Sequence, residues 1–401
     1  MFQFIDNGSI TSVNGINAAG INCGLKKEKK DLALIFSEVP CNVAGTFTLN
    51  KVIAAPLVVS KNLIKQQNKV KAVLINSGNA NACTGTAGFS NALDAQSCCA
   101  KKLSINPSEV IVSSTGVIGK QLPMDKLKSG IDDIVNHLSE NGGLNAAEAI
   151  LTTDLKRKPF AVKVKLSGGE VTIGGICKGS GMIMPNMATM LAFLATDASI
   201  EQPVLQKLLS SSVNNSFNKI SVDGETSTND MVILMENGLS KITVKENSED
   251  YNKFSSALLA ICQEMAKAIA ADGEGATKLI TISINNAKTK KDADTIARAV
   301  ANSPLFKTAM NGNDANWGRI LSVAGNSGVD FTPEKVSIKF DDMTILEPNY
   351  SVNFDEEKAK KLLNKEQVKV SVDLNEGNQS ATWWTCDYSE GYIKINSSYR
   401  T

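Results

Sequence analysis

The stretch Met182–Asp197 reads MIMPNMATMLAFLATD, an apolar, Met-rich run whose pivot is Ala188-Thr189. A threonine directly after a small residue inside such a run is where a self-cleaving enzyme carries its nucleophile. The chain has a single histidine, His137, so Thr189 has no obvious imidazole to activate it. A threonine works without one once the peptide bond before it is cut. The α-amino group so released, with an ordinary pKa of about 7.7–8.0, serves as the base. The competing reading is structural: a threonine in an apolar strand is ordinarily packed, with its hydroxyl satisfied. The chemistry that separates the two is specific. The Thr189 hydroxyl must attack the Ala188 carbonyl and form an ester that water resolves. The small Ala188 side chain leaves room for the tetrahedral carbon, and Pro185 helps hold a strained approach.

Outward from this pivot, both halves of the chain mix strands and helices. Upstream, Val52–Ser60 and Val70–Ile75 read as short β-type runs, the second leading into the small-residue loop Asn76–Ala82. Helical spacing follows at Ser90–Lys102, Met124–Leu138 and Leu144–Thr152, with a strand at Glu109–Ser113. Phe160–Leu166 and Val171–Cys177 alternate as a hairpin across Ser167-Gly168-Gly169-Glu170. Downstream, the apolar run Met190–Leu194 leads to a helix at Glu201–Phe217. Strands at Met231–Leu234, Leu279–Ile284 and Val336–Phe340 then alternate with helices at Asn252–Ala271 and Ala293–Asn302. Gln367–Leu374, Ala381–Tyr388 and Tyr392–Ile395 read as closing strands. The fold class is α/β (mixed α+β), and no Pro/Gly/Ser-rich linker divides it. A division at Ala188-Thr189, into an α fragment 1–188 and a β fragment 189–401, is therefore chemical.

Composition excludes several functions. Lys+Arg 42 against Asp+Glu 41 gives a net charge of +1, so no field recommends a nucleic-acid or membrane partner. Aromatic residues are 5% and form no basic-aromatic cluster for base stacking. The N-terminus MFQFIDNGSI lacks both regions of a signal peptide, and no apolar run reaches the roughly 18–20 residues that span a bilayer. Eight scattered cysteines make no CxxC pair, which points to reduced thiols and a cytoplasmic location, without a metal site.

Other segments have a chemical and a bland reading. Gly174–Gly181 fails the phosphate-loop pattern, because Lys178 precedes Gly179. Its glycines suit a tight turn beside a reactive peptide, while Lys178 reads equally as a solvated charge. Ser114-Thr115-Gly116 is an ordinary turn, or else the Thr115 hydroxyl and Gly116 N–H are donors suited to an oxyanion. The polar run Ser221–Asp230 caps a helix or binds a cation, although EF-hand spacing is absent. Asp272–Lys278 ends a helix with glycines, leaving Glu274 either solvated or held in a site. His137 reads as structural or exposed.

Taken together, these segments resemble the glutamate N-acetyltransferase / ornithine acetyltransferase family of arginine biosynthesis. The resemblance runs in order through INSGNANACTG (75–85), SSTGVIG (113–119), LTTD (151–154), GGICKGSGMIMPNMATMLAFLATDA (174–198), SVDGETSTND (221–230), ADGEGATK (271–278), ANWGRIL (315–321) and NSSYRT (396–401). It implies self-cleavage between Ala188 and Thr189, with Thr189 as the nucleophile that carries the acetyl group. It also implies an oxyanion hole at Thr115 and Gly116. Substrate contacts map onto Thr152 and its neighbour Thr153, Lys178, Thr189, Glu274, Asn396 and Thr401. Lys178 suits a substrate carboxylate and Glu274 an ammonium group.

The resemblance further implies a layered sandwich of helices and sheets with two lobes, assembled as α2β2 or larger. The reaction it implies is ping-pong transfer of acetyl from N-acetylornithine to glutamate, without a metal or bound cofactor. Acetyl-CoA is a possible second donor. Two residues depart from the family pattern: Cys177, where Ala is expected, and Met184, where a smaller residue is expected. Two rivals stay open. A self-processing aminopeptidase or amidohydrolase would hydrolyse the acyl-enzyme without needing glutamate. A metabolite-binding protein would stay a single chain.

Overall fold

A computed structural model describes residues 2–184 and 190–398 of the chain. The expected cleavage point at Ala188-Thr189 and the C-terminal Thr401 lie outside the described residues.

The chain enters through β1 (Phe2–Phe4) and β2 (Ile16–Ile21) and then runs one long strand, β3 (Leu32–Phe47). Helices α1 (Ala55–Lys65) and α2 (Gly85–Leu103) flank β4 (Val70–Asn79), and β5 (Val110–Val117) follows. Two helices, α3 (Met124–Ile134) and α4 (Gly143–Ala149), lead into the hairpin β6 (Lys158–Leu166) and β7 (Gly169–Lys178). Next come β8 (Leu191–Thr196), α5 (Gln202–Asn214), β9 (Ile220–Ser221), β10 (Met231–Glu236) and α6 (Glu249–Ala271). The last third alternates β11 (Leu279–Ala287), α7 (Lys290–Ala301), α8 (Pro304–Asn311) and α9 (Trp317–Gly325) with a second hairpin, β12 (Ser337–Phe340) and β13 (Met343–Leu346). It ends with α10 (Glu356–Leu363), β14 (Gln367–Asp373), β15 (Gln379–Cys386) and α11 (Glu390–Ser398).

Two sheets result. The larger has the order β1-β6-β7-β8-β10-β3-β4-β5, with β2 also on β3; the smaller runs β13-β12-β14-β11-β15-β9. Strand β3 is long enough to serve both ends of the larger sheet. Its Asn42–Phe47 half pairs with β10, and its Leu32–Ser37 half pairs with β2 and β4. The larger sheet therefore folds over on itself, and the alternation of side chains fills two of its cores. Leu191, Phe193 and Ala195 of β8 point with Ile35 and Val73 into the space between the two halves. Ala192 and Leu194 point the other way, onto α5 and α6. On the far side, Leu34, Leu74 and Val112 pack under α2 and α3. The layers run helix, sheet, sheet, helix, and a strand such as β8 is buried on both faces, which is why it reads as a continuous apolar run. The smaller sheet packs against α7–α10 around its own core. This is the layered α/β architecture expected.

Two segments differ from the sequence reading. Val52–Ser60 contributes the start of α1 instead of a strand. Pro56 sits in its first turn and Leu57, Ser60, Leu63 and Ile64 line one buried stripe, so helical spacing prevails over the β-branched Val58 and Val59. Tyr392–Ile395 lies in α11, where Tyr392 and Asn396 share one face at the i, i+4 spacing. Among the described residues, α6 is the one helix long and apolar enough to cross a membrane. Its Phe254, Leu258, Ile261, Met265 and Ile269 instead pack into the core.

Candidate active site

The C-terminal ends of β4 and β5 form one wall of the site. The two strands run parallel, and their register slips at Gly78 and Asn79, opposite Thr115 and Gly116. Gly116 has φ 130°, and a Cβ there would stand 2.5 Å from the Gly78 carbonyl carbon, so only glycine fits. Buried amides lock this wall. Ser114 donates to Asn76 Oδ1 at 2.6 Å, and Asn229 Nδ2 donates to the carbonyls of Ala80 and Ser114 at 2.7 and 2.8 Å. The Thr115 hydroxyl has no protein partner among the described residues, which leaves it available to a ligand.

The opposite wall comes from the end of β7. Lys178 is 2% exposed, far from the solvated charge a surface reading gives it. Its Nζ donates to Thr152 Oγ1 at 2.7 Å and stands 3.8 Å from Asp154 Oδ2. Burial lowers its pKa, and Lys158 adds to that, while Asp154 opposes it. Asp154 is the hub. It accepts from Lys158 Nζ at 2.8 Å, from the Gly179 amide at 2.7 Å and from the Thr152 amide at 3.0 Å. Burial would raise its pKa, but Lys178 and Lys158 hold the carboxyl well below the ordinary range. Lys158 reaches on to Asp272 at 2.6 Å, and Asp272 accepts the amides of Leu155 and Lys156. A chain of alternating charges thus ties the 152–158 loop, the end of β7 and the end of α6 together and aims Lys178 into the cleft.

Just past Asp272, the chain turns inward. Glu274, 6% exposed, receives Asn396 Nδ2 on its Oε2 at 2.8 Å, and its own amide donates to the Ser180 carbonyl at 3.0 Å. Gly181 packs directly against this carboxylate, and a Cβ there would overlap it. The helix-capping reading holds for Asp272, which terminates α6, but Glu274 belongs to the site.

The polar run that ends in Asp230 binds backbone amides of Met182, Ile183 and Met190. Asp223 accepts the amides of Met182 and Ile183 at 2.6 and 2.8 Å, and Asp230 Oδ1 accepts that of Met190 at 3.1 Å. The run caps no helix; its acids fix loop amides instead.

These walls enclose one cleft of about 720 Å³, open solvent at its mouth included. Thr115, Gly116, Thr152, Thr153, Lys178, Glu274 and Asn396 all line it, so every expected site residue among the described ones converges there. Thr189 and Thr401 lie outside the described residues. The sequence reading missed the roles of Asp154, Asp223 and Asn229, although all three stand inside blocks that it singled out. It also missed Tyr392, which lines the cleft and stacks on Tyr388 with ring centroids 5.0 Å apart. His137 is exposed and takes no part. Cys177 is a core thiol that burial pushes up to about 12, so it brings no reactive sulfur.

Chemically, the cleft is lined by a buried cation, Lys178, a buried carboxylate, Glu274, and the hydroxyl-bearing Thr115 beside Gly116. The model of the ArgJ family matches residues 17–401. Two curated relatives are similar along nearly their whole lengths, and both are described as "Arginine biosynthesis bifunctional protein ArgJ". One, from Thermotoga neapolitana, is 46% identical over 96% of this chain and 99% of its own length. The other, from Chlorobaculum tepidum, is 48% identical over 96% of each. Among solved structures, the arginine biosynthesis bifunctional protein of Bacillus halodurans aligns with 42% identity and a TM-score of 0.44, covering 47% of this chain and 98% of that one. The ornithine acetyltransferase of Mycobacterium tuberculosis complexed with ornithine aligns with 38% identity and a TM-score of 0.43, covering 46% and 98%.

Proposed function

The chain belongs to the ArgJ family, and from that premise we propose how its residues move an acetyl group. It is an acetyltransferase of arginine biosynthesis that carries acetyl from N-acetylornithine to glutamate. In our reading Thr189 is the nucleophile, and it is created by the chain itself. The Thr189 hydroxyl adds to the Ala188 carbonyl carbon, and the carbon–nitrogen bond breaks. The hydroxyl proton ends on the released α-amine, and water then cleaves the ester. The products are an α chain, 1–188, and a β chain, 189–401, that stay together as α2β2 or larger.

The free α-amine next acts as the base. It takes the Thr189 hydroxyl proton as the oxygen attacks the acetyl carbonyl of N-acetylornithine. Thr115 Oγ1 and the Gly116 amide receive the oxyanion. The proton passes to the departing ornithine nitrogen, leaving an acetyl ester on Thr189. Glutamate's amine attacks that ester through the same intermediate in reverse order. Lys178 and Thr152 hold a substrate carboxylate, and Glu274 with Asn396 holds an ammonium group. Thr401 joins them as a contact carried over from the family. No metal or bound cofactor enters, and acetyl-CoA stands as a second donor. The location is cytoplasmic.

One observation carries this reading. Residues from β5, the 152–158 loop, β7, the end of α6 and α11 converge on one cleft, which Met182 and Asp223 also line. The test combines intact mass with an acyl-transfer assay. We expect two fragments, the second beginning at Thr189, and an acetyl adduct on that fragment after N-acetylornithine is added without glutamate. Adding glutamate should discharge it as N-acetylglutamate. Release of free acetate at the same rate with and without glutamate would favour a hydrolase. A chain that stays whole would remove the nucleophile from the scheme.

A further inference from the structure

Leu151 and Thr152 share one peptide group, and charges hold both ends of it. The Leu151 carbonyl accepts from Lys26 Nζ at 2.6 Å, and the Thr152 amide donates to Asp154 Oδ2 at 3.0 Å. Thr152 Oγ1 in turn accepts from Lys178 Nζ at 2.7 Å. The peptide that carries this hydroxyl is therefore clamped between an ammonium group on its oxygen and a carboxylate on its nitrogen, and both bonds are charge-assisted.

Lys26 reaches Leu151 across 125 positions because its own loop, between β2 and β3, turns the side chain inward. Asp31, just ahead of β3, accepts the amides of Cys23 and Lys26 at 2.7 Å each, and Asn22 Nδ2 donates to the carbonyls of Lys26 and Lys29. The half-buried Lys26 ammonium group also donates to the Lys30 carbonyl at 3.0 Å. Its stem passes close to the other wall of the site. A Cβ on Gly78 would stand 3.1 Å from Lys26 Cγ, and Gly78 is the register partner of Gly116. Residues 151–154 then act as a partition. Thr152 and Thr153 line the catalytic cleft, whereas Leu151 and Asp154 line a second groove together with Lys26. Lys26 thus stands behind the partition, and it acts on a substrate in the cleft through Thr152.

We propose that Lys26 is a positioning residue for acetyl transfer: it fixes the 151–152 peptide, and through Thr152 it sets the aim of Lys178 at a substrate carboxylate. The inference rests on the reading of Thr152 and Lys178 as the carboxylate contact. The clamp carries a pH signature. Burial lowers the pKa of Lys26 to about 8. Asp31 and Asp154 oppose that shift, while Lys178 on β7 and Lys29 in the same loop add to it. The other charged side chains lining the groove are Glu148 of α4, which pairs with Lys30, and Lys156 and Arg157 of the 152–158 loop. Lys126 of α3 donates to the Gly24 carbonyl of the Lys26 loop. As pH rises through about 8, Lys26 loses its charge, the bond to Leu151 weakens, and the cleft loses a nearby cation. Binding of an anionic group should weaken over the same range. This runs opposite to an amine acting as a base, which gains from rising pH.

Three variants test this: Lys26→Met, Lys26→Arg and, as the reference, Lys178→Met. Each is followed for melting temperature and for kcat and KM toward N-acetylornithine against pH. The Lys26→Met enzyme should show KM raised about fivefold or more at neutral pH, with kcat changed less than about threefold. Its KM should then stay level through about pH 8, where that of the wild type climbs. The Lys26→Arg enzyme, charged throughout, should keep KM within about threefold of wild type and lose the climb. A wild-type KM in Lys26→Met, or a climb through pH 8 unchanged in both Lys26 variants, would overturn the proposal. Equal KM losses in the Arg and Met variants would overturn it too, because the charge on the Leu151 carbonyl would then not be what matters. Should the variants melt far below wild type, competitive labelling of lysine amines in the wild-type enzyme, read peptide by peptide against pH, follows Lys26 directly. A midpoint near 8 that rises when ornithine is bound supports the coupling, and one that ornithine leaves unmoved contradicts it. A Lys178→Met enzyme with wild-type KM would remove the carboxylate reading on which the inference rests. A raised KM there beside an indifferent Lys26→Met enzyme sinks this inference alone.

Discussion

Lys178 Nζ donates to Thr152 Oγ1 at 2.7 Å, and the ammonium group that does so is almost wholly withdrawn from water. The two residues are 26 positions apart and reach the cleft from different elements. Thr152 also receives support from behind, since Asp154 accepts its amide. A cation held this way is pre-aimed, so an anionic group entering the cleft would meet it without ordering a flexible side chain.

Replacing Lys178 by Met should therefore raise KM for N-acetylornithine. The loss of one charge-assisted bond is worth about 1.5–3 kcal/mol, or roughly 10- to 100-fold. Lys178→Arg should recover little, because the buried site is shaped around a compact ammonium group. Steady-state kinetics decide it. A KM within twofold of wild type in the Met variant would remove Lys178 from substrate binding.

Asp154 should control stability at low pH. Its folded-state pKa lies below the unfolded value of 3.8, so its contribution is present above that value and disappears as pH falls through the folded pKa. Lys158 has the opposite sign. Its pKa is raised above 10.5, so its share is complete below that value and is lost as pH rises past it. Asp154→Asn should cost about 3–5 kcal/mol at neutral pH, because it strands buried lysines, and should flatten the acid slope of stability. Urea unfolding across pH 2–7 is the measurement. An unchanged slope in the variant would contradict the assignment.

Thr115→Ala should reduce kcat by roughly 10²- to 10³-fold while leaving KM nearly alone, the signature of a donor that acts on the transition state. If the same hydroxyl serves the self-cleavage intermediate, cutting should slow in parallel. Thr115→Ser should restore both. Equal losses in the Ser and Ala variants would mean that the methyl group, and not the hydroxyl, is what matters there.

Two glycines make a contrasting pair. Gly181→Ala pushes only on the Glu274 carboxylate, the free end of a side chain, so stability should change by no more than about 1 kcal/mol. Activity should still fall about tenfold or more, because the carboxylate leaves its place beside Asn396. Gly116→Ala instead drives a methyl group into the backbone of Gly78 and Asn79 at a positive φ, and should damage folding and activity together. Melting temperatures beside kcat/KM separate the two. A Gly181→Ala enzyme with full activity would show that the position of Glu274 is not critical.

Much of the site was legible because its functional groups are written as contiguous blocks. Thr115 and Gly116 share one block, Lys178 lies in another, and Glu274 sits between glycines at a helix end. The period of two found the β6–β7 hairpin, and the helical period found α6, because neighbours two, three or four positions apart share a face. Short runs were less secure. The same β-branched and aromatic residues occur in the α1 and α11 segments, and only what they pack against decides between helix and strand. The placement of Lys178 was beyond local pattern for a stronger reason. Its burial depends on Asp154 and Lys158, and theirs on Asp272, more than a hundred positions away. The grip of Asp230 on Met190 likewise spans 40 residues. Residue type and order name the groups that can do the chemistry. Which of them lose their water, and which charges face each other once they have, follows from how distant segments pack, because desolvation and pairing are properties of the assembled interior.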